Sequence, residues 1–184
     1  MARAKVTKLR RKTIDQVLTA FGVVATITFV VMGCLAWWAY SFTTSSVRDE
    51  LAAQKIYFPV LGSQALASSQ VGPYLNQYAG QQLLTGPQAR AFADHYIAVH
   101  LSEVAGGQTY AEVSAKAQAS PTNTTLQNQA STLFKGETLR GMLLNAYAFW
   151  TVGMVARIGA LVCFAAAGLM AILTTLGFWH IIRD

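Results

Sequence analysis

The sequence predicts an all-α membrane protein: two transmembrane helices flanking a small extracytoplasmic helical bundle. Two long uncharged apolar stretches and a cluster of cations ahead of the first predict it. The chain has 184 residues, of which 53% are hydrophobic and only 12% charged. A soluble domain carries roughly twice that charge. The shortfall is concentrated. No charged residue occurs from Gln16 to Val47, and Ile158 to Ile182 holds only His180 as a polar titratable group. As helix, Leu18 to Phe42 would reach roughly 37 Å, against a hydrocarbon core of about 30 Å.

The net charge of +6 is uneven: Arg3, Lys5, Lys8, Arg10, Arg11 and Lys12 precede the first stretch. Between the stretches, seven basic residues meet six acidic ones, and Arg183 cancels Asp184. By the positive-inside rule the basic tail is a topology signal and belongs in the cytoplasm. Two spans return the C-terminus to the same side. Cations this close to a span suit anionic lipid headgroups, not nucleic acid. The expected organisation is a basic cytoplasmic tail (1–17), a first span (18–42), an extracytoplasmic helical domain (43–141), a helical extension at the outer interface (142–157), a second span (158–182) and a cytoplasmic end (183–184). The first span reads as an uncleaved anchor in the cytoplasmic membrane. Its apolar run is long for a secretory signal, and Leu35 to Tyr40 stay apolar after a weak lipoprotein-like box at Cys34. Cys34 and Cys163 lie within the spans, as small packing residues.

Aromatic residues mark the expected outer interface: Trp37, Trp38 and Tyr40 on one side, Tyr147, Phe149 and Trp150 on the other. Ser46 to Gln54 reads as a helical continuation of the first span, with Ser46 and Asp49 or Glu50 offering N-terminal capping, Ile56 to Val60 as extended, Ser63 to Gly72 as a polar loop, and Pro73 to Gln82 as holding a helical turn. Thr85-Gly86-Pro87 starts a helix, with proline where no hydrogen bond is lost. Its apolar stripe is Ala89, Phe92, Ala93, Tyr96, Ile97, Val99 and Val104. Gly106 and Gly107 end it. Thr109-Tyr110-Ala111-Glu112 is a capping box. Ser120-Pro121 closes that helix. Thr122 or Asn123 caps another, carrying Leu126, Ala130, Leu133 and Phe134. A last long helix is expected from about Leu139 to Ile182.

Tyr78-Ala79-Gly80-Gln81, Gly86-Pro87, His100, Gly106-Gly107-Gln108-Thr109-Tyr110-Ala111-Glu112 and Leu139-Arg140 resemble an actinobacterial family of small two-span membrane proteins. Members often carry the automatic label "aromatic ring-opening dioxygenase". The resemblance covers most of the domain between the spans and implies the two-span topology and an actinobacterial envelope setting; it implies no biochemical role. Ring opening by iron needs two histidines and a carboxylate on one face. His95 and His100 would stand about 140° apart on a regular helix. Glu103 adds only one ligand to His100, so no metal or other cofactor is expected.

His100 is expected to reach the Gly106-Gly107 turn, and Tyr110 to pack its helix against the preceding one. No serine elbow, phosphate loop or paired intramembrane charge is present. Small residues at Gly153, Ala156, Ala160, Cys163 and Ala167, and at Thr19, Gly22, Thr26, Gly33 and Ala36, predict antiparallel packing of the spans. Arg157 is expected at the outer interface, against lipid phosphate or a partner's carboxylate. The function expected is that of a non-enzymatic accessory or scaffold subunit docked to a larger envelope or respiratory membrane complex. The alternative is a ligand- or lipid-binding module with a pocket lined by Phe92, Tyr96, Tyr110 and Phe134.

Overall fold

A computed structural model describes the backbone of residues 2–183 and the side chains of residues 12–183. Arg3, Lys5, Lys8, Arg10 and Arg11 lie outside the described side chains; Lys12 is exposed. The chain is all-helical, 83% helix. Among the described residues there is no strand, only an isolated antiparallel bridge between Tyr57 and Gln82. The helices are α1 (Ala2–Gln54), α2 (Gly72–Leu75), α3 (Gly86–Ala91), α4 (Ala98–Ala105), α5 (Tyr110–Ala119) and α6 (Thr124–Arg183), with a π-helical segment, Phe92–Ile97, joining α3 to α4. Two compact units form: Met1–Phe42 with Gly153–Asp184, and Thr43–Val152.

Helix α1 continues through Ser46 to Gln54 without a break, the continuation expected from the sequence, so the capping residues at Ser46 start no new helix. Nothing between Gly33 and Gln54 is proline or glycine, and intrahelical hydrogen bonds continue at no cost. Likewise α6 is one helix from Thr124, where two were expected. Gly136 and Gly141 interrupt its sequence but not its backbone. Gly136 has a packing reason: a Cβ there would collide with the Leu101 side chain.

In the unit of the two long helices, α1 and α6 lie antiparallel. Thr19 meets Gly177, Gly22 meets Thr174, and Gly33 meets the Phe164 ring. Gly153, Ala160, Ala167 and Thr174 are buried along this line, Ala156 and Cys163 partly so. On the first helix Thr19, Gly22 and Gly33 are buried and Thr26 and Ala36 partly so. The outward faces carry Phe21, Val24, Leu161 and Ile172, all more than half exposed. Only 17% and 11% of the most apolar windows of α1 and α6 are buried, so neither is the core helix of a globule. Both are long and apolar enough to cross a membrane.

The second unit has a single core that includes Leu51, Phe58, Leu75, Leu83, Ala93, Val113, Leu133 and Leu143. Leu66 and Val71, in the stretch expected to be a polar loop, are buried in it. The core face of α3 to α4 is Ala89, Ala93, Ile97, Leu101 and Ala105. Steps of four residues advance about 40° each on an α-helix, so this face would drift by about 160°. The π segment inserts one residue and takes back about 100° of that drift. Val104, expected on the stripe, stands 39% exposed.

Local caps set the ends. Thr85 and Gln88 make a reciprocal capping box at α3, and Thr109 and Glu112 make one at α5. Gly106 and Gly107 take φ of 59° and 81°, which a side chain would resist. Asn123 Oδ1 accepts from Leu126 N at the start of α6. The carboxamide of Gln88 is buried: its Oε1 accepts from Leu84 N and Thr85 N at 2.9 and 3.0 Å, and its Nε2 donates to Gln81. Gln88→Leu strands those two amides, and the second unit is expected to lose about 1–3 kcal/mol. Chemical denaturation followed by tyrosine and tryptophan fluorescence checks this; an unchanged midpoint would refute it.

Candidate functional site

The densest polar arrangement in the second unit gathers on the π segment and the facing turns of α6. The segment places Asp94 between two arginines. Asp94 Oδ2 lies 3.5 Å from Arg90 Nε, one turn earlier, and its Oδ1 lies 3.5 Å from Arg140 Nη2 on α6. Arg140 also approaches Glu137 at 3.5 Å. Arg90 Nη1 donates to Tyr147 Oη at 2.9 Å, and its guanidinium lies 4.9 Å from that ring's centre. Arg140 Nε is buried without a protein partner among the described residues. The cluster therefore clasps the π segment to α6 through side chains from both.

These groups are partly solvated, with Arg90 56% and Asp94 30% exposed. Exposed ion pairs contribute little each, about 0–1 kcal/mol, so the clasp sets orientation more than stability. Two cations and two carboxylates give the cluster no net formal charge. The Arg90 hydrogen bond, followed by one from Thr151 and the Arg90 charge, holds the Tyr147 phenol below its ordinary acidity range. The same Tyr147 contact raises Arg90. A depressed folded-state pKa stabilises the fold only as pH rises toward the phenol's unfolded value, so the effect is absent at neutral pH. Ultraviolet titration of tyrosinate is expected to show one early-titrating phenol that moves up in Arg90→Ala. An unchanged titration curve would refute the contact.

Beside the clasp, the His95 imidazole stacks on Tyr74, with centroids 3.6 Å apart and planes at 1°. His100 does not reach the glycine turn. Its Nδ1 bonds the Tyr96 carbonyl at 3.0 Å and its ring lies against Tyr96. The backbone over His95 is π-helical, not the regular helix assumed for the 140° spacing, yet the two imidazoles still have separate partners. Among the described residues no three His, Cys, Asp or Glu side chains come together to hold a metal.

Tyr110 packs on Phe134 of α6. Phe92 is buried against Phe58 and Tyr96, so the four aromatics proposed for one pocket divide into two separate groups. Tyr147 and Trp150, expected as interface markers, also make contacts within the second unit: Tyr147 holds Arg90, and a Cβ on Gly86 would collide with Trp150. In the other unit, Arg157 is exposed, with its guanidinium 5.6 Å from the Tyr40 ring centre. Glu112 accepts from Thr109 N at 2.7 Å, and that bond lowers its pKa. The clasp escaped sequence reading because Arg90, Arg140 and Tyr147 share no local pattern. The Thr85–Gln88 cap had a readable signal, Thr-x-x-Gln, in plain view.

These features define an all-helical protein with two helices able to cross a membrane and a separate helical unit between them. Comparison with family models, curated proteins and solved structures finds no match.

Proposed function

We propose that this chain is a non-enzymatic accessory or scaffold subunit of a cytoplasmic membrane, docked through its spans to a larger membrane complex. One observation carries the reading. The two long helices bury a narrow line of small residues against each other and leave broad apolar faces exposed, with Phe21 68%, Val155 64% and Leu161 52% accessible. In water such faces would cost about 25 cal/mol per Å². Acyl chains or a partner's helices remove that cost. The six leading cations favour cytoplasmic ends, with residues 43–152 on the opposite side. The resemblance to actinobacterial two-span proteins supports an envelope setting.

Arg157, resting on Tyr40, suits a lipid phosphate at the outer interface or a carboxylate on the partner. The second unit offers its charge-balanced clasp and the stacked Tyr74–His95 pair as an external docking face.

Topology and partnership are tested together. Single cysteines at Gln54 and Ser120, in a chain lacking Cys34 and Cys163, are expected to react with an impermeant maleimide in intact cells. A cysteine at Thr7 is expected to react only after lysis. Crosslinking in the native membrane is expected to capture a larger membrane protein. Reversed labelling would overturn the topology; a chain that always runs alone would overturn the scaffold role.

A further inference from the structure

We propose that the groove between α5 and the first turns of α6 binds a neutral, polyhydroxylated ligand, an uncharged glycan chain. The proposal stands independently of the scaffold reading. Tyr110 and Phe134 form its aromatic wall. They are 39% and 57% exposed, their ring centres are 5.6 Å apart, and their planes are inclined at 48°. Together they make an open V. Its floor is the buried methyl groups of Ala117 and Ala130, and the small size of these residues gives the groove its depth. The volume is about 360 Å³, near the lower end of ligand-site volumes, about 300–1,000 Å³.

The polar lining decides the ligand class. Ser114 and Gln118 come from α5, Gln127 and Ser131 from α6, and no lining residue is charged. Gln127 Nε2 is committed to the Ala117 carbonyl at 2.8 Å, which holds that side chain in place. Gln118 Nε2 donates to Ser114 Oγ at 3.3 Å. The hydroxyl hydrogen of Ser114, the Ser131 hydroxyl and the amide oxygens remain to exchange hydrogen bonds with a ligand. A nucleotide or acidic peptide would need cations in the lining, and an amine would need carboxylates. An apolar helix would leave four polar side chains desolvated without partners. A pyranose ring suits both walls. Its C–H face lies on an aromatic ring, and its hydroxyls both donate to and accept from serine and amide groups.

The test uses the full chain in an amine-oxide detergent, because alkyl-glycoside detergents would compete for the groove. Saturation-transfer NMR is run with cellotetraose, maltotetraose and chitotetraose as probes. At least one is expected to receive transfer at its ring C–H protons. Tyr110→Ala and Phe134→Ala are expected to weaken that binding by about tenfold or more. Ser131→Trp, which fills the groove from an exposed position, is expected to abolish it, and Tyr57→Ala, at an exposed aromatic outside the groove, to leave it unchanged. Circular dichroism establishes that each variant is folded. No transfer to any of the three probes, or transfer that survives Ser131→Trp, would overturn the proposal.

Discussion

Leu143→Ala is expected to destabilise the second unit by about 2–5 kcal/mol. Leu143 is 0% exposed and sits in the core with Leu51, Leu83 and Leu133. Removing its branch loses the transfer free energy of the buried carbons and leaves a cavity that the surrounding helices fill only in part. A domain of this size holds only about 5–15 kcal/mol in total, so the loss is a large share. The same change farther along the same helix provides the contrast. Leu161 is 52% exposed, and Leu161→Ala opens no cavity. Hydrogen exchange of the full chain in micelles should show the amides of Leu83, Ala93 and Leu133 exchanging faster in Leu143→Ala and unchanged in Leu161→Ala. Equal effects from the two substitutions would mean that Leu143 does not lie in a packed core.

What could be read from the sequence was what depends on neighbours within a few residues. The Thr109–Glu112 box, the glycine stop at Gly106 and the Asn123 cap are contacts within one helical turn, and residue type at fixed spacing is enough to specify them. The two long apolar helices were equally plain, because length and lack of charge are additive properties of a stretch. The π segment was not. It exists because Ala89, Ala93, Ile97, Leu101 and Ala105 must all face one core, a demand set by chain far away in sequence. Leu66 and Val71 were hidden for a related reason: five residues apart in a polar stretch, they follow neither a helical nor a strand period, yet both reach the core. The Arg90–Tyr147 bond joins residues 57 apart and leaves no trace in either local stretch. Tyr147 and Trp150 carry contacts that their residue type does not announce: besides an amphipathic chemistry suited to a membrane interface, they meet Arg90 and Gly86 within the second unit.

The closest test of the helix pairing is covalent. A Thr19→Cys, Gly177→Cys chain, with Cys34 and Cys163 replaced by serine, is expected to form an intramolecular disulfide under mild oxidation. A Cβ built on Gly177 lies 3.8 Å from Thr19 Cβ, in the middle of the Cβ–Cβ range of disulfides, about 3.5–4.5 Å. The neighbouring pair gives an internal repeat, since a Cβ on Gly22 would lie 3.5 Å from Thr174 Cβ. A control pair, Thr19→Cys with Leu176→Cys, places the second thiol one residue round the helix, about 100° off the seam. Leu176 is 53% exposed, and that pair is expected to stay reduced. Faster mobility on non-reducing gels, reversed by a thiol, reports closure within one chain, whereas a band at twice the mass reports closure between chains. The second outcome would place the small-residue line at an interface between copies. It would then leave the apolar outward faces, on which docking to a larger complex depends, arranged around a different seam.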